Sequence, residues 1–348
     1  MSSFCLAFFL YPAFISFLQR TRILDVPDNR KIHSSQTPSL GGVPLFTGAV
    51  FAIFLWLPGP FYEFKYLIAG LLLMFVVGLR DDLVPLPANL KLASQLIPFI
   101  LLIQWGDFKL LSMYEIVPWL TFNEVIAWTI TLFVFVVITN SINLIDGLDG
   151  LAGALCLIIL TSYGIWFIYA GMEIPAYICF SLVGSIIAFL FFNWQPSRIF
   201  MGDTGALTLG LVCAAMTILF INSNHNLEHL HPAKITSGVT TAVCIMIIPL
   251  TDTLRVFIIR ISSGRSPFSA DTNHIHHLLL RSGLSHSGAV KILCLANLFF
   301  IVMAFIGQDW PPQILLATVI LTAAGSVSML VLFLKLRFKS KPQKAAVQ

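Results

Sequence analysis

Eleven predominantly apolar runs, each close to the length that crosses a hydrocarbon core, constrain this chain more than any motif in it. A transmembrane helix needs roughly 17 to 25 mostly apolar residues. Such runs, several near the short limit, lie at Phe4 to Leu18, Gly41 to Leu57, Tyr66 to Leu79, Leu90 to Trp105, Val125 to Thr139, Leu151 to Ala170, Ile174 to Phe192, Thr204 to Ile221, Ile235 to Arg255, Gly288 to Gly307 and Ile314 to Leu334. With 57% of its 348 residues hydrophobic and 10% charged, the chain is no water-soluble globule, where about a quarter of residues carry charge. The expected fold is all-α, a polytopic integral membrane helical bundle of about eleven transmembrane helices, or ten if one short run stays out of the bilayer. Residues 1–334 read as one transmembrane domain with polar loops between its helices and 335–348 as a basic tail; no repeat, linker or soluble domain interrupts them. The first run has no basic segment before it and no small-residue cleavage site, so it reads as a retained helix. The six cysteines all fall inside predicted helices without CxxC spacing, as small apolar packing residues.

A formal net charge of +4 implies no nucleic-acid partner. Placing the loops alternately on two sides puts only Lys65, Lys109 and Lys234 on one side and the remaining bases on the other, which makes the latter cytoplasmic. The N-terminus is then outside and the C-terminus inside. The tail from Lys335 to Lys344 fits a positive-inside anchor on anionic lipid headgroups. The acids divide in a way no orientation rule demands: all five Glu fall outside with Asp107 and Asp309, while every inner acid is Asp. Short, stiffly held carboxylates on one face suggest a site, although Asp also favours loops and helix caps.

Four constellations lie on that inner face. Arg80-Asp81-Asp82 ends the third run; two carboxylates at the negative end of a helix dipole call for a cation or a proton between them, and paired Asp either hold Mg²⁺ or include a base of raised pKa. Asn140, Asn143, Asp146 and Asp149 recur every three residues, with Gly147 and Gly150 able to break the helix so that the two Asp converge. Asp203, set between glycines in MGDTG just before the eighth run, can cap a helix, bind a metal, or lie beside amides that take phosphate; the neighbouring Gln195 and Arg198 suit an anion. The loop from Gly264 carries Arg265, Asp271, His274, His276 and His277, either a transition-metal tract or a set of donors for pyrophosphate. Hard oxygen donors elsewhere favour the second reading. On the outer side His225, His229 and His231 read as a solvated loop.

Together these motifs resemble the polyprenyl-phosphate N-acetylhexosamine-1-phosphate transferase family, multi-helix membrane enzymes that move a sugar-1-phosphate from a UDP-sugar onto a lipid phosphate and release UMP. The similarity runs from Asp28-Asn-Arg30-Lys31-Ile-His33 and Thr37-Pro-Ser-Leu-Gly-Gly42-Val43 through Asp81-Asp82, NSINLIDGLDG and MGDTG to HIHH, nearly the whole chain. Each motif is modest, whereas their order on one predicted face is specific. The GRSPFSADTNHIHH loop resembles the branch that uses UDP-N-acetylglucosamine with undecaprenyl phosphate; the branch that transfers phospho-MurNAc-pentapeptide carries three uninterrupted His, where Ile275 intervenes here. Another UDP-N-acetylhexosamine, or UDP-MurNAc-pentapeptide, remains the alternative donor. The resemblance implies Mg²⁺, with Mn²⁺ able to replace it, held by Asp203 and Asn143. It implies Asp81 deprotonating or positioning the lipid phosphate, with Asp82 in support of the metal or the same phosphate. Asn140 would line the nucleotide-sugar pocket, Asp146 and Asp149 that pocket or the metal's outer shell, and Arg265, His274, His276 and His277 would grip phosphates; Arg30, Lys31 and His33 are further phosphate contacts. It also implies a bacterial cytoplasmic (inner) membrane location, membrane lipids as partners, and compatibility with a homodimer. A different class, the ion-coupled secondary transporter, also uses intramembrane Asp and Asn, but it predicts inverted repeats and midplane charges, and neither is seen.

Overall fold

The computed structural model describes residues 1–21, 37–57, 64–265 and 274–339. Helices run in the order α1 (Ser2–Thr21), α2 (Gly42–Trp56), α3 (Lys65–Leu83) and α4 (Ala88–Trp105). A short hairpin of β1 (Ser112–Met113) and β2 (Val117–Thr121) precedes α5 (Glu124–Ile145), α6 (Leu151–Tyr169), α7 (Glu173–Asn193) and α8 (Gly202–Asn226). Then follow α9 (Gly238–Ile245), α10 (Ile247–Ser262), α11 (Ile275–Arg281), α12 (His286–Ile306) and α13 (Pro312–Lys339). Each of the eleven apolar runs falls on a helix. Among the described residues seven helices are long and apolar enough to cross a membrane, or eight if one bent pair is counted. The chain is therefore a multi-pass helical membrane protein. The expected eleven crossings exceed that count because α2 is short, α3 carries Lys65, Arg80, Asp81 and Asp82, α4 carries Asn89, Lys91, Ser94, Gln95 and Gln104, and the ninth run is broken.

The break has a local cause. Helices α9 and α10 meet at Met246 with a 75° bend, three residues before Pro249. Proline has no N–H for the carbonyl four residues earlier, which is that of Ile245. Asn297 of α12 takes over the task, its Nδ2 donating to Ile245 O at 3.1 Å. The hairpin is the other departure from an all-α fold, with Asp107 (φ 59°) and Tyr114 (φ 48°) bending the chain into it. Helix α13 continues to Lys339, so the basic tail begins as helix. All six cysteines lie within helices and none is disulfide-bonded.

Helix α8 is the axis of the bundle. Its apolar window is 89% buried, against 17% for α13 at the periphery. Glycines let its neighbours approach: a Cβ on Gly42 of α2 would lie 2.2 Å from Gly205 N, and one on Gly78 of α3 would lie 2.6 Å from Asp203 O. Consequently the start of α8 is wedged between the start of α2 and the end of α3. Gly41 N donates to Phe200 O and Gly42 N to Met201 O, each at 2.8 Å, fixing the approach to α8. At the far end of the bundle Lys109 pairs with Glu124 at 2.7 Å, and Lys234 Nζ donates to the carbonyls of Asn224, His225 and Leu227 at the end of α8. Of the three outer histidines only His229 is a fully solvated loop residue: His225 lies in the last turn of α8 against the Tyr114 ring, and His231 is half-buried, its Nδ1 accepting from Ala233 N at 3.1 Å.

Candidate active site

The two Asp that end α3 do different things. Asp82 turns to the start of α8: its Oδ1 accepts from Asp203 N at 2.7 Å, and its Oδ2 from Thr204 N at 2.9 Å and Thr204 Oγ1 at 2.5 Å. A carboxylate at the unfavourable end of one helix dipole is thus stabilised by the favourable end of another. The α8 amides of Asp203 and Thr204, which the sequence offered to phosphate, are therefore committed to Asp82. Gly202 makes this contact feasible. It has φ +72°, and a Cβ there would lie 1.9 Å from Ser39 O and 2.6 Å from Asp82 Oδ2. A left-handed non-glycine residue costs about 1–3 kcal/mol before any clash, so Gly202→Ala should lower the melting temperature by several degrees; an unchanged thermal melt in detergent would contradict the close contact.

Asp81 is buried, and its Oδ1 accepts from Leu86 N at 2.6 Å. No cation lies between the two adjacent carboxylates among the described residues; Lys91 of α4 instead bridges Asp81 and Asp203. Its Nζ lies 2.9 Å from Asp81 Oδ2 and 2.7 Å from Asp203 Oδ1. Asn143 of α5 donates from Nδ2 to the same Asp203 oxygen at 2.5 Å. One turn back along α5, Asn140 Nδ2 donates to Gln95 Oε1 at 3.2 Å, and Gln95, four residues after Lys91, is fully buried with its Nε2 lacking a hydrogen-bond partner among the described residues. The ends of α3, α4, α5 and α8 thus meet in one polar cluster. Lys91 is thus part of the site and more than an orientation charge.

The DGLDG turn completes the cluster. Helix α5 stops at Ile145, Asp146 follows as its C-cap, and Gly150 at φ +80° opens α6, its N–H donating to Asn193 Oδ1 at 2.7 Å. Asp149 is buried. Burial, then the charges of Asp203, Asp82 and Asp149, push the Asp146 carboxyl up to about 7. A native pKa above the ordinary Asp value makes stability fall as pH rises from about 4 to about 7. Asp146→Asn should therefore melt higher than the wild type at pH 8 in EDTA and no higher near pH 4.5; a melting difference that does not change with pH would contradict this.

The histidine tract packs onto that turn. A Cβ on Gly147 would lie 2.8 Å from His276 Nε2. His276 is buried and neither ring nitrogen has a hydrogen-bond partner among the described residues. Burial, aided by His277, pushes it down to about 3, which favours the neutral ring. Its ring lies 5.6 Å from that of His274 and 4.3 Å from that of His277. Asp252, to which the sequence assigned no role, holds the tract: its Oδ2 is 2.7 Å from His274 Nδ1 and its Oδ1 accepts from Ile275 N at 2.6 Å. A carboxylate on Nδ1 fixes the imidazole tautomer and leaves Nε2 for a ligand. Asp252→Asn should lower turnover roughly ten- to a hundred-fold with little change in melting temperature; full turnover would contradict a role for His274.

Arg265 is exposed beyond the end of α10, while Arg260 is buried. Arg30, Lys31, His33 and Asp271, like Asp25 and Asp28, lie outside the described residues.

The donors suit one kind of metal. Carboxylate and amide oxygens are hard ligands that fit Mg²⁺ and exclude a soft-metal centre. Among the described residues no three of His, Cys, Asp and Glu form a cage able to hold a metal alone. Mg²⁺ needs no such cage, since it takes one or two carboxylates and completes its shell with water and substrate phosphates.

A family model described as glycosyl transferase family 4 matches residues 64–221, the stretch that carries Asp81, Lys91, Asn143, Asp146 and Asp203. The chain is 32% identical to a probable undecaprenyl-phosphate N-acetylglucosaminyl 1-phosphate transferase of Bacillus subtilis, over 81% of this chain and 76% of that one. It is 29% identical to the undecaprenyl-phosphate alpha-N-acetylglucosaminyl 1-phosphate transferase of Yersinia pestis, over 82% and 77%. It is 33% identical to the decaprenyl-phosphate N-acetylglucosaminephosphotransferase of Mycobacterium tuberculosis H37Rv, over 77% and 72%.

Proposed function

The chain belongs to glycosyl transferase family 4, and on that footing we propose that it transfers N-acetylglucosamine-1-phosphate from UDP-GlcNAc to undecaprenyl phosphate. The products are undecaprenyl-diphospho-GlcNAc and UMP, a first membrane step in building a cell-envelope glycan. The observation that carries the reading is the meeting of Lys91 and Asn143 on one Asp203 oxygen, with Asp81 on the same Lys91 ammonium, beside the Asp146 turn and the histidine tract.

An oxygen of the lipid phosphate attacks the β-phosphorus of UDP-GlcNAc, and the bond from that phosphorus to the bridging oxygen breaks, leaving with UMP. A phosphate is already a competent nucleophile, so catalysis here is positioning and charge neutralisation. Lys91, steered by Asp81, presents its ammonium to the diphosphate. Asp203 and Asn143 would hold Mg²⁺, which supplies charge withdrawal from the departing UMP when bound. Asp82 organises the start of α8. Its two oxygens already accept three hydrogen bonds, which favours direct attack by the lipid phosphate over a phospho-aspartyl route through Asp82. Neutral His276 and the Asp252-oriented His274 offer hydrogen bonds to the nucleotide sugar, with Arg265 and His277 at the phosphates.

The same reading places the cluster on the cytoplasmic face of a bacterial inner membrane, with eleven crossings, the N-terminus outside and the C-terminus inside. Donor choice is tested by competition: unlabelled UDP-GlcNAc should suppress transfer from labelled UDP-GlcNAc at far lower concentration than UDP-GalNAc or UDP-MurNAc-pentapeptide. Equal or stronger suppression by either of the latter would reassign the sugar while leaving the reaction class.

A further inference from the structure

A second polar hollow opens beside the cluster, lined by Pro12, Ile15, Ser16 and Gln19 of α1 and by Thr37, Pro38, Ser197 and Arg198, with a volume of about 320 Å³. The α1 residues recur at the spacing of one helix face. Arg198 is held in place from two directions: its backbone N–H donates to Phe192 O at 2.8 Å, and its guanidinium lies over the Phe192 ring at 5.4 Å from the centroid. Ser16 Oγ donates back to Pro12 O at 2.9 Å, so its lone pairs face outward as acceptors. No carboxylate is among the described residues that line it, and the guanidinium has a forked donor edge that matches phosphate oxygens. The hydroxyls of Ser16, Thr37 and Ser197 and the Gln19 amide add groups that exchange hydrogen bonds with hydroxyls.

Its place in the fold says which phosphate. The hollow lies at the end of α1 that carries Arg20, and Thr37 and Pro38 lead into the segment that pairs with Phe200 and Met201 before α8. On the same helix Phe9 and Phe17 are 76% and 53% exposed, side chains that a hydrocarbon environment covers. A polar, cation-bearing hollow at the rim of a lipid-facing helix sits at headgroup depth.

We propose that this hollow binds the headgroup of an anionic glycerophospholipid, its phosphate on Arg198 and its glycerol hydroxyls on Gln19 and the three hydroxyl side chains. A choline headgroup would set a cation against the guanidinium and offer no hydroxyl, so phosphatidylcholine is a poor occupant. The assignment rests on the orientation given above, which puts this end at the cytoplasmic leaflet. It concerns a resident lipid and not the acceptor of the reaction.

Native mass spectrometry of the delipidated full-length protein, given phosphatidylglycerol or phosphatidylcholine, tests it without any turnover, so a failed transfer assay and a failed lipid assay are separate results. The wild type should retain one phosphatidylglycerol more than Arg198→Gln, whose retention falls roughly ten-fold, as loss of one charged hydrogen-bond partner implies. Arg198→Lys should keep most of it, and Ser16→Phe, which fills the hollow with Arg198 intact, should lose it. Lys291→Gln, an exposed base of α12, should retain as the wild type does. Equal retention by Arg198→Gln, equal loss by Lys291→Gln, equal binding of phosphatidylcholine, or displacement of that lipid by undecaprenyl phosphate would each overturn the proposal.

Discussion

Asp203→Asn should reduce transfer of GlcNAc-1-phosphate by roughly a thousand-fold, the scale on which a removed electrostatic contact to a transition state acts, with the protein folded and its melting temperature within a few degrees of the wild type. The side chain has no packing role that asparagine fails to fill. Its Oδ1 is the meeting point of the Lys91 ammonium and the Asn143 amide, and its backbone N–H, which anchors α8 to Asp82, is unchanged by the substitution. What disappears is the charge that holds Lys91 in place and would hold Mg²⁺. Raising Mg²⁺ should not rescue the variant, and addition of Mg²⁺ in EDTA-titrated buffer should raise the melting temperature of the wild type more than that of Asp203→Asn. Wild-type-like turnover in Asp203→Asn would remove the residue from the mechanism.

Lys91→Met is the second large effect. Removing one member of a largely buried ion pair costs about 3 kcal/mol, because Asp81 and Asp203 are then left facing each other without a cation. Turnover should fall roughly a hundred-fold or more, and, unlike Asp203→Asn, the protein should also melt lower. The double variant Lys91→Met, Asp81→Asn separates the two consequences: it removes the stranded charge and should recover most of the lost stability while leaving turnover low. Recovery of turnover in that double variant would make Lys91 a purely structural counter-ion and refute its contact with the diphosphate.

Most of the fold was legible because hydrocarbon length and helix length are the same constraint, and every apolar run is helical in the structure, the ninth as two helices. What periodicity does not carry is the bend at Met246, which depends on Pro249 meeting a substitute donor, Asn297, from another helix. The hairpin at Ser112–Thr121 was likewise hidden, since its strands are short and lie outside the apolar runs. In the site, Asp81, Asp82, Asn143, Asp146 and Asp203 were readable from Asp and Asn on one predicted face, and the structure brings them together. Lys91 and Asp252 were not read, although each carried a signal. Both lie inside runs assigned to the membrane, Leu90 to Trp105 and Ile235 to Arg255, where an ionisable residue needs a partner. Their partners are 112 positions away for Lys91 with Asp203 and 22 for Asp252 with His274, so sequence marks the need without naming the residue that meets it. The division of labour between Asp81 and Asp82 was also beyond sequence, because adjacent side chains on a helix point about 100° apart and so reach different neighbours.

Membranes containing the protein, given UDP-GlcNAc labelled in the sugar together with undecaprenyl phosphate and Mg²⁺, show whether a sugar-1-phosphate is transferred. Label should enter the lipid phase only with both the polyprenyl phosphate and Mg²⁺ present, appear with an equal amount of UMP, and be lost again when excess UMP reverses the reaction. Label that never enters the lipid phase, or enters it with UDP as the nucleotide product, would contradict transfer of a sugar-1-phosphate by this site.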